Sequence, residues 1–345
     1  MQHVAFALAC ALPLAASAAS LAQDPAPKHE LRWKIASGAV IEASLKDLRE
    51  DQNSMELSFG NQDPQPSEHS SENRFELAWR DVVKAAKDGR PTAVKRKFST
   101  LEHEISFGED HQQDFETPLG DQEIGIDETG EEPELELPED LELEPEIQKA
   151  LRIGAELGAF LPSEAVAVGG TWALDAKRVN ALLNHGRGLF ERSEGVFHTE
   201  GGGEMRIAAD DLPEGQPQPK PDAWEGTCKL LAVEELEGRQ VARIELKGKS
   251  SPPKSEDAGG LSITQESGSM GIMINAGGGA QEQELTGELL FDLAGGYVRS
   301  VVLEIEGESE TDAEHEAEFG TIKLHQHSTS TRKVELRVAV AAPKQ

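Results

Sequence analysis

A chain of 345 residues exceeds the ~150 of an average domain and can build one large core or two smaller ones. Its 64 acidic side chains against 33 basic ones leave a formal charge of −31, which repels nucleic-acid backbones and anionic membrane surfaces, and no nucleic-acid partner is expected. Only 5% of residues are aromatic, so the core must be built from Leu, Val, Ile and Ala.

Residues 1–22, MQHVAFALACALPLAASAASLA, hold no Asp, Glu, Lys or Arg. They run apolar from Val4 to Leu14 and end in small residues, the pattern of an export signal. Ala16-Ser17-Ala18 and Ser20-Leu21-Ala22 are A-x-A-like sites. The second leads into polar Gln23-Asp24-Pro25, which places cleavage after Ala22. Pro13 and the Ala/Ser-rich end oppose a membrane anchor, and no later run is long enough for a transmembrane span. The mature chain is expected in the periplasm or outside the cell. With Cys10 removed, Cys228 is alone in the strand-like run Thr227–Val233. It reads as a buried, inert thiol, and the fold must rest on its core rather than on disulfides.

A short Pro/Ala tether covers residues 23–29, and an N-terminal β region follows over 30–107. Leu31-Arg32-Trp33-Lys34-Ile35 alternates, and Ser37-Gly38 turns the chain into Val40–Leu45. Met55–Phe59 alternates again, and the polar stretch Gly60–Asn73, with Pro64 and Pro66, reads as a loop. The clearest hairpin spans Phe75–Leu101 around Lys87-Asp88-Gly89-Arg90, because Asp-Gly between alternating arms favours a turn with positive φ.

Residues 108–145 form an acidic insert. Glu109 to Glu146 hold 17 Asp or Glu and no Lys or Arg, and prolines interrupt the Leu/Glu alternation of 131–145. The composition predicts a solvated, disordered segment, with cations or a basic protein as its possible partners. It lacks the ligand spacing and glycine of a calcium loop.

Residues 146–192 read as a helical connector. Ile147, Leu151 and Gly154 recur at helical spacing over 146–157 after Pro145, and Asp175 is a plausible N-cap for a second helix over 175–190. From 193 to 342 short strands and turns recur, pointing to a C-terminal antiparallel meander. Glu237-Gly238-Arg239 echoes the Asp88-Gly89-Arg90 corner. The fold class is therefore mainly β: two antiparallel meander sheets, half-barrel or sandwich-like, with one or two short helices.

The best metal-like constellation is His325-Gln326-His327. Residues two apart on a strand share a face, so His325 and His327 can meet one ion, with His315 or Glu318 as a third ligand. The runs Gly201–Gly203 and Gly277–Gly279 lack the spacing of phosphate cradles and read as hairpin tips, so no cofactor is expected. No G-x-S-x-G or H-E-x-x-H occurs, and no residues are singled out as catalytic. Trp33, Trp79, Trp172 and Trp224 lie near strand starts, with Tyr297 in a strand. They pack a core or its rim, or line a ligand cup if the sheet curls.

Residues 161–174, with 89–96 and 290–296, carry the patterns P-x-x-x-V-x-V-G-x-x-W and F-D-x-x-x-G. In these the chain resembles a family of exported bacterial β-rich proteins of unknown function, over residues 30–105 and 160–305. The motifs are turn and packing residues, and the resemblance implies architecture rather than chemistry. The long curved sheets are also similar to lipoprotein-carrier-like half-barrels, which implies an apolar concave face. The expected function is non-enzymatic: an envelope binding or scaffold protein holding an apolar small molecule on a curved sheet. The alternative is an acidic module for cations or a basic partner, and an enzyme ranks third.

Overall fold

The computed structural model describes residues 26–59, 63–108, 111–115, 117–130, 133–154, 160–190, 195–199, 203–207, 223–251, 260–266, 269–275, 282–317 and 320–343. The expected signal segment 1–22 and Gly277–Gly279 lie outside them, as do Gly201 and Gly202.

In chain order the strands are β1 (Lys28–His29), β2 (Val40–Phe59), β3 (Gln65–Lys87), β4 (Arg90–Phe107), β5 (His111–Phe115), β6 (Glu123–Asp127) and β7 (Glu134–Glu136). Then come α1 (Pro145–Ala150), β8 (Val166–Ala167), β9 (Thr171–Ala173), α2 (Ala176–Leu183) and a 3-10 turn, Arg187–Phe190. The rest is β10 (Gly195–Thr199), β11 (Gly203–Ile207), β12 (Ala223–Leu236), β13 (Arg239–Ser251), β14 (Gly260–Glu266), β15 (Ser269–Asn275), β16 (Glu282–Asp292), β17 (Tyr297–Ala317) and β18 (Gly320–Ala341).

The fold is mainly β and antiparallel, with two short helices among the described residues and no closure into a barrel. The main sheet runs β11-β10-β5-β4-β3-β2-β18-β17-β16-β13-β12-β9. The two expected meanders are present, and they join edge to edge. β2 pairs with β18 from Val40↔Ala341 to Phe59↔Ile322, making the halves one sheet.

Alternation with a period of two sorts the side chains between the faces. Ile41, Ala43 and Leu45 of β2, Phe75, Leu77 and Trp79 of β3, and Val334, Leu336 and Val338 of β18 are buried on the inner face. The outer face is charged. On β17 it presents Glu304, Glu306, Glu308, Glu310, Asp312 and Glu314 in unbroken alternation, all exposed. The inner face is covered by α2 and the 3-10 turn, through Val179, Leu182, Leu183, Leu189 and Phe190. Asp175 caps α2 as its sequence suggests, accepting from the Lys177 N–H at 3.0 Å.

Both Gly-Arg corners are turns with two positive φ values, Asp88 at 52° and Gly89 at 77°, Glu237 at 54° and Gly238 at 76°. This twist matches that of the strands they join. The segment Leu31–Ile35 is extended but does not join the sheet. It threads between two turns: Lys34 N–H donates to Gly296 O and Ile35 N–H to Gly89 O, each at 2.9 Å. In a flat sheet four strand spacings, about 19 Å, separate those turns. Two hydrogen bonds and one residue step bring them within about 10 Å. The sheet is therefore curled at this end, with Leu31, Trp33 and Ile35 buried inside the curl.

Four expectations are corrected. The acidic segment, expected to be solvated, contributes β5, β6 and β7 and buries Leu119, Ile124, Ile126 and Leu143. Its acids find counter-charge on β4: Lys95 meets Glu123 at 3.2 Å and Lys97 meets Asp121 at 3.8 Å. Residues 65–73, expected as loop, continue β3. Pro66 is tolerated because β4 pairs only as far as Ser71↔Phe107, leaving β3 an edge beyond it. The first helix stops at Ala150 rather than Leu157. Arg152 O instead accepts from Arg96 Nη1 at 2.8 Å and Ile153 N–H donates to Glu128 at 3.1 Å, bonds that a continuing helix would forbid. The tether ends in order, because β1 pairs with β8.

A Cβ on Gly89 would lie 2.1 Å from Trp33 O, whereas one on Gly238, with nearly the same φ, meets nothing within 4 Å. Gly89→Ala is expected to cost about 3 kcal/mol and Gly238→Ala about 1 kcal/mol. Urea-unfolding midpoints measure both, and equal losses would remove the threaded segment as the cause of the curl.

Candidate functional site

At the curled end the sheet encloses a cavity of about 600 Å³, within the range of small-molecule sites. Its floor is Ile41 and Ala43 of β2, Trp79 of β3 and Val338 of β18. Leu31, Trp33 and Ile35 form the end wall, and Ile153 and Leu161 the roof. Trp33 and Trp79 thus belong to the buried core and also line the cavity, combining the two roles open to the tryptophans. The buried Trp33 indole N–H has no acceptor among the described residues. Trp172 instead packs beside the core and donates to Phe160 O at 2.9 Å, while Trp224 is buried. Tyr297 is buried too, and its hydroxyl accepts from Arg239 at 3.3 Å.

One ion pair lies in the floor. Arg96 donates to both oxygens of Asp81 at 2.8 Å, and the two side chains are 3% and 4% exposed. Its guanidinium lies 5.3 Å from the Trp79 ring centre and 5.9 Å from that of Phe98. Each charge is thereby matched within the wall, and the pair adds no net charge to the cavity. Sequence reasoning missed it, although a signal existed: Asp81 and Arg96 are opposite in the hairpin register, each at an inward position.

A second buried network ties the sheet to its cover. Asp47 accepts from Arg332 at 2.8 and 2.6 Å and from Arg187 at 2.9 Å, and Arg332 also donates to Leu183 O. Burial pushes the Asp47 carboxyl up, but the two guanidinium groups more than offset it and hold it below the usual range.

Two histidines are packed among aromatic rings. His103 stacks on Phe115 at 4.4 Å and meets Phe75 and Phe190 edge-on, and His185 tilts against Trp79 at 5.6 Å. Burial lowers both imidazoles to about 4, helped by Arg187 for His103 and Arg96 for His185. In the unfolded chain each titrates near 6.5. Between pH 6.5 and 4 the unfolded state therefore binds more protons, and stability falls with falling pH. The expected loss across that window is on the order of a few kcal/mol, read from urea midpoints at pH 7 and 4.5. His103→Phe should remove its share of the slope while changing stability at pH 7 by less than about 1 kcal/mol.

The predicted metal pair lies elsewhere, on the outer face of β18. His325 and His327 do share that face. His325 Nδ1 lies 2.8 Å from Asp312 and its Nε2 3.8 Å from Glu310, while His327 Nε2 lies 3.8 Å from Glu308. Ligand atoms of Glu310, Asp312 and His325 fall within 4.8 Å of one another, a group that leaves His327 out. The side chain of His315 and residue Glu318 lie outside the described residues. The hydrogen bond to Asp312 raises the pKa of His325, which favours its protonated form and opposes metal ligation. Asp312→Asn should bring the His325 imidazole titration, followed by NMR, down toward 6.5; an unmoved titration would discount the pair. Cys228 is buried and its thiol is pushed up to about 12 by desolvation, leaving it unreactive.

Fold and site together define a curled antiparallel sheet that encloses an apolar cavity. No protein-family model matches the chain, and no curated protein matches it. Solved structures similar to it include the InvG secretin domain β-barrel of the Salmonella SPI-1 injectisome, at 7% identity and a TM-score of 0.21, covering 89% of this chain and 64% of that one. The Vibrio cholerae type IV competence pilus secretin PilQ is similar at 9% identity and a TM-score of 0.18, covering 88% and 60%. The type II secretion system secretin GspD of Escherichia coli K12 follows at 8% and 0.18, covering 88% and 50%. The chain thus spans less than two-thirds of these secretin chains, and similarity at such scores assigns no role to any of its residues.

Proposed function

We infer that this is an exported, non-enzymatic binding protein of the cell envelope that holds an apolar small molecule inside the curled end of its sheet. One observation carries the reading: a cavity of about 600 Å³ walled by Trp33, Trp79, Ile35, Ile41 and Leu161. Such a wall gains free energy by excluding water from an apolar ligand, at about 25 cal/mol per Å² buried. The buried polar groups beside it, Arg96 and Asp81, are engaged with each other and hold the floor in shape rather than acting on a ligand. The export signal of residues 1–22 supplies the compartment.

The neutral fluorophore N-phenyl-1-naphthylamine tests the reading. Saturable, blue-shifted fluorescence is expected on the wild-type protein. Ala43→Phe, which fills the floor, should weaken binding by about tenfold or more while circular dichroism stays unchanged. A wild-type protein giving no saturable signal would end this reading.

A further inference from the structure

We propose that the ligand is a single-chain amphiphile with an anionic head group, its tail against Trp33 and Trp79 and its head held at the rim by Lys87 and Arg90. The inference rests on the ligand-holding reading above and names the class of molecule. A chain of formal charge −31 would be expected to wall its cavity with acid. Instead five basic side chains line this one against three acidic ones.

Most of those charges are already matched. Asp81 and Arg96 neutralise each other, Glu128 accepts from the Ile153 N–H, and Arg178 meets Asp175 at 3.2 Å. Among the described residues Arg32 pairs with Glu30, at 3.9 Å. Lys87 and Arg90 differ. They flank the Asp88-Gly89 turn, are direct cross-strand partners, and line the cavity together with the Asp88 carboxylate, so this corner carries one net positive charge; among the described residues no ion pair engages Lys87 or Arg90.

Like charges placed directly opposite across a strand pair repel and destabilise the hairpin. An anion seated between them relieves that repulsion. A guanidinium offers a planar fork matched to carboxylate or phosphate, and an ammonium supplies a mobile point charge beside it. The adjacent apolar wall lowers the local dielectric and strengthens the attraction. The charged outer face, by contrast, turns anions away, so the rim is the place where a negative head group is welcomed. The Lys-Asp-Gly-Arg corner then serves two ends: its φ values shape the hairpin, and its flanking cations face the ligand.

The experiment displaces bound N-phenyl-1-naphthylamine with four ligands of equal tail length: dodecanoate, dodecyl phosphate, dodecanol and dodecyltrimethylammonium. The two anions are expected to compete at concentrations about tenfold below dodecanol, with the trimethylammonium weakest and the gap narrowing as salt is raised. Whichever anion competes better identifies the head as carboxylate or phosphate. The double variant Lys87→Gln, Arg90→Gln should erase the anion advantage and leave dodecanol unchanged. Equal competition by all four, or an anion advantage that survives the double variant, would overturn this inference while the ligand-holding reading stands. Probe binding absent from the wild-type protein would overturn both.

Discussion

Two hydrogen bonds set the shape of this molecule. The Lys34 and Ile35 amides reach in opposite directions from one extended segment to carbonyls at two hairpin corners that a flat sheet would hold far apart. Meeting both requires the sheet to roll up at one end. The roll brings the inward faces of β2, β3, β4 and β18 around Trp33 and creates a cavity that no single hairpin could enclose. Gly89 and Gly296 are required here because each allows the threaded backbone to pass against a corner where any Cβ would collide with it.

Electrostatics in this chain is a matter of direction. From Glu304 to Glu314 of β17 every second side chain is acidic and outward, so carboxylates that would repel one another in a core sit in water, where screening weakens their interaction. The few charges that turn inward come with partners. Asp81 has Arg96, and Asp47 has Arg332 and Arg187. These networks link hairpin, sheet and helical cover across long stretches of sequence, and breaking one leaves a charge stranded in low dielectric. The same logic explains why the acidic segment 108–145 packs. Its apolar residues supply a face, and Lys95 and Lys97 on the neighbouring strand supply the counter-charge.

Much of this fold was legible in the sequence because alternation and turn chemistry are local. The Asp-Gly corner of the first hairpin, the cap at Asp175, the buried Cys228 and the hairpin around Glu237-Gly238 all follow from residues a few positions apart. What was not legible depends on partners far along the chain. Pro66 looks like a loop residue until it is known that its strand has no neighbour on that side. The run after Pro145 has helical spacing, but Arg96, more than fifty residues away, claims the carbonyl a helix would use. The shared face of His325 and His327 was readable from spacing, while the carboxylates that occupy them come from a neighbouring strand. The cavity was the least legible feature, since its walls come from β2, β3, β4, β18 and two irregular segments. The one local clue was a pair of opposite charges at facing inward positions.

The pairing of β2 with β18 has a consequence for how the chain acquires its structure. The seam that unites the two halves joins residues about three hundred positions apart, and no part of it can form until the last strand exists. Closing so long a loop is entropically slow, and a sheet whose central contact is the most distant one in sequence has a high folding barrier. During synthesis each meander is left with a long unpaired edge at β2 or its counterpart, a surface prone to mispairing. A sheet arranged in this way stays unfinished until β18 is made, and each half must hold an open edge in readiness for the other.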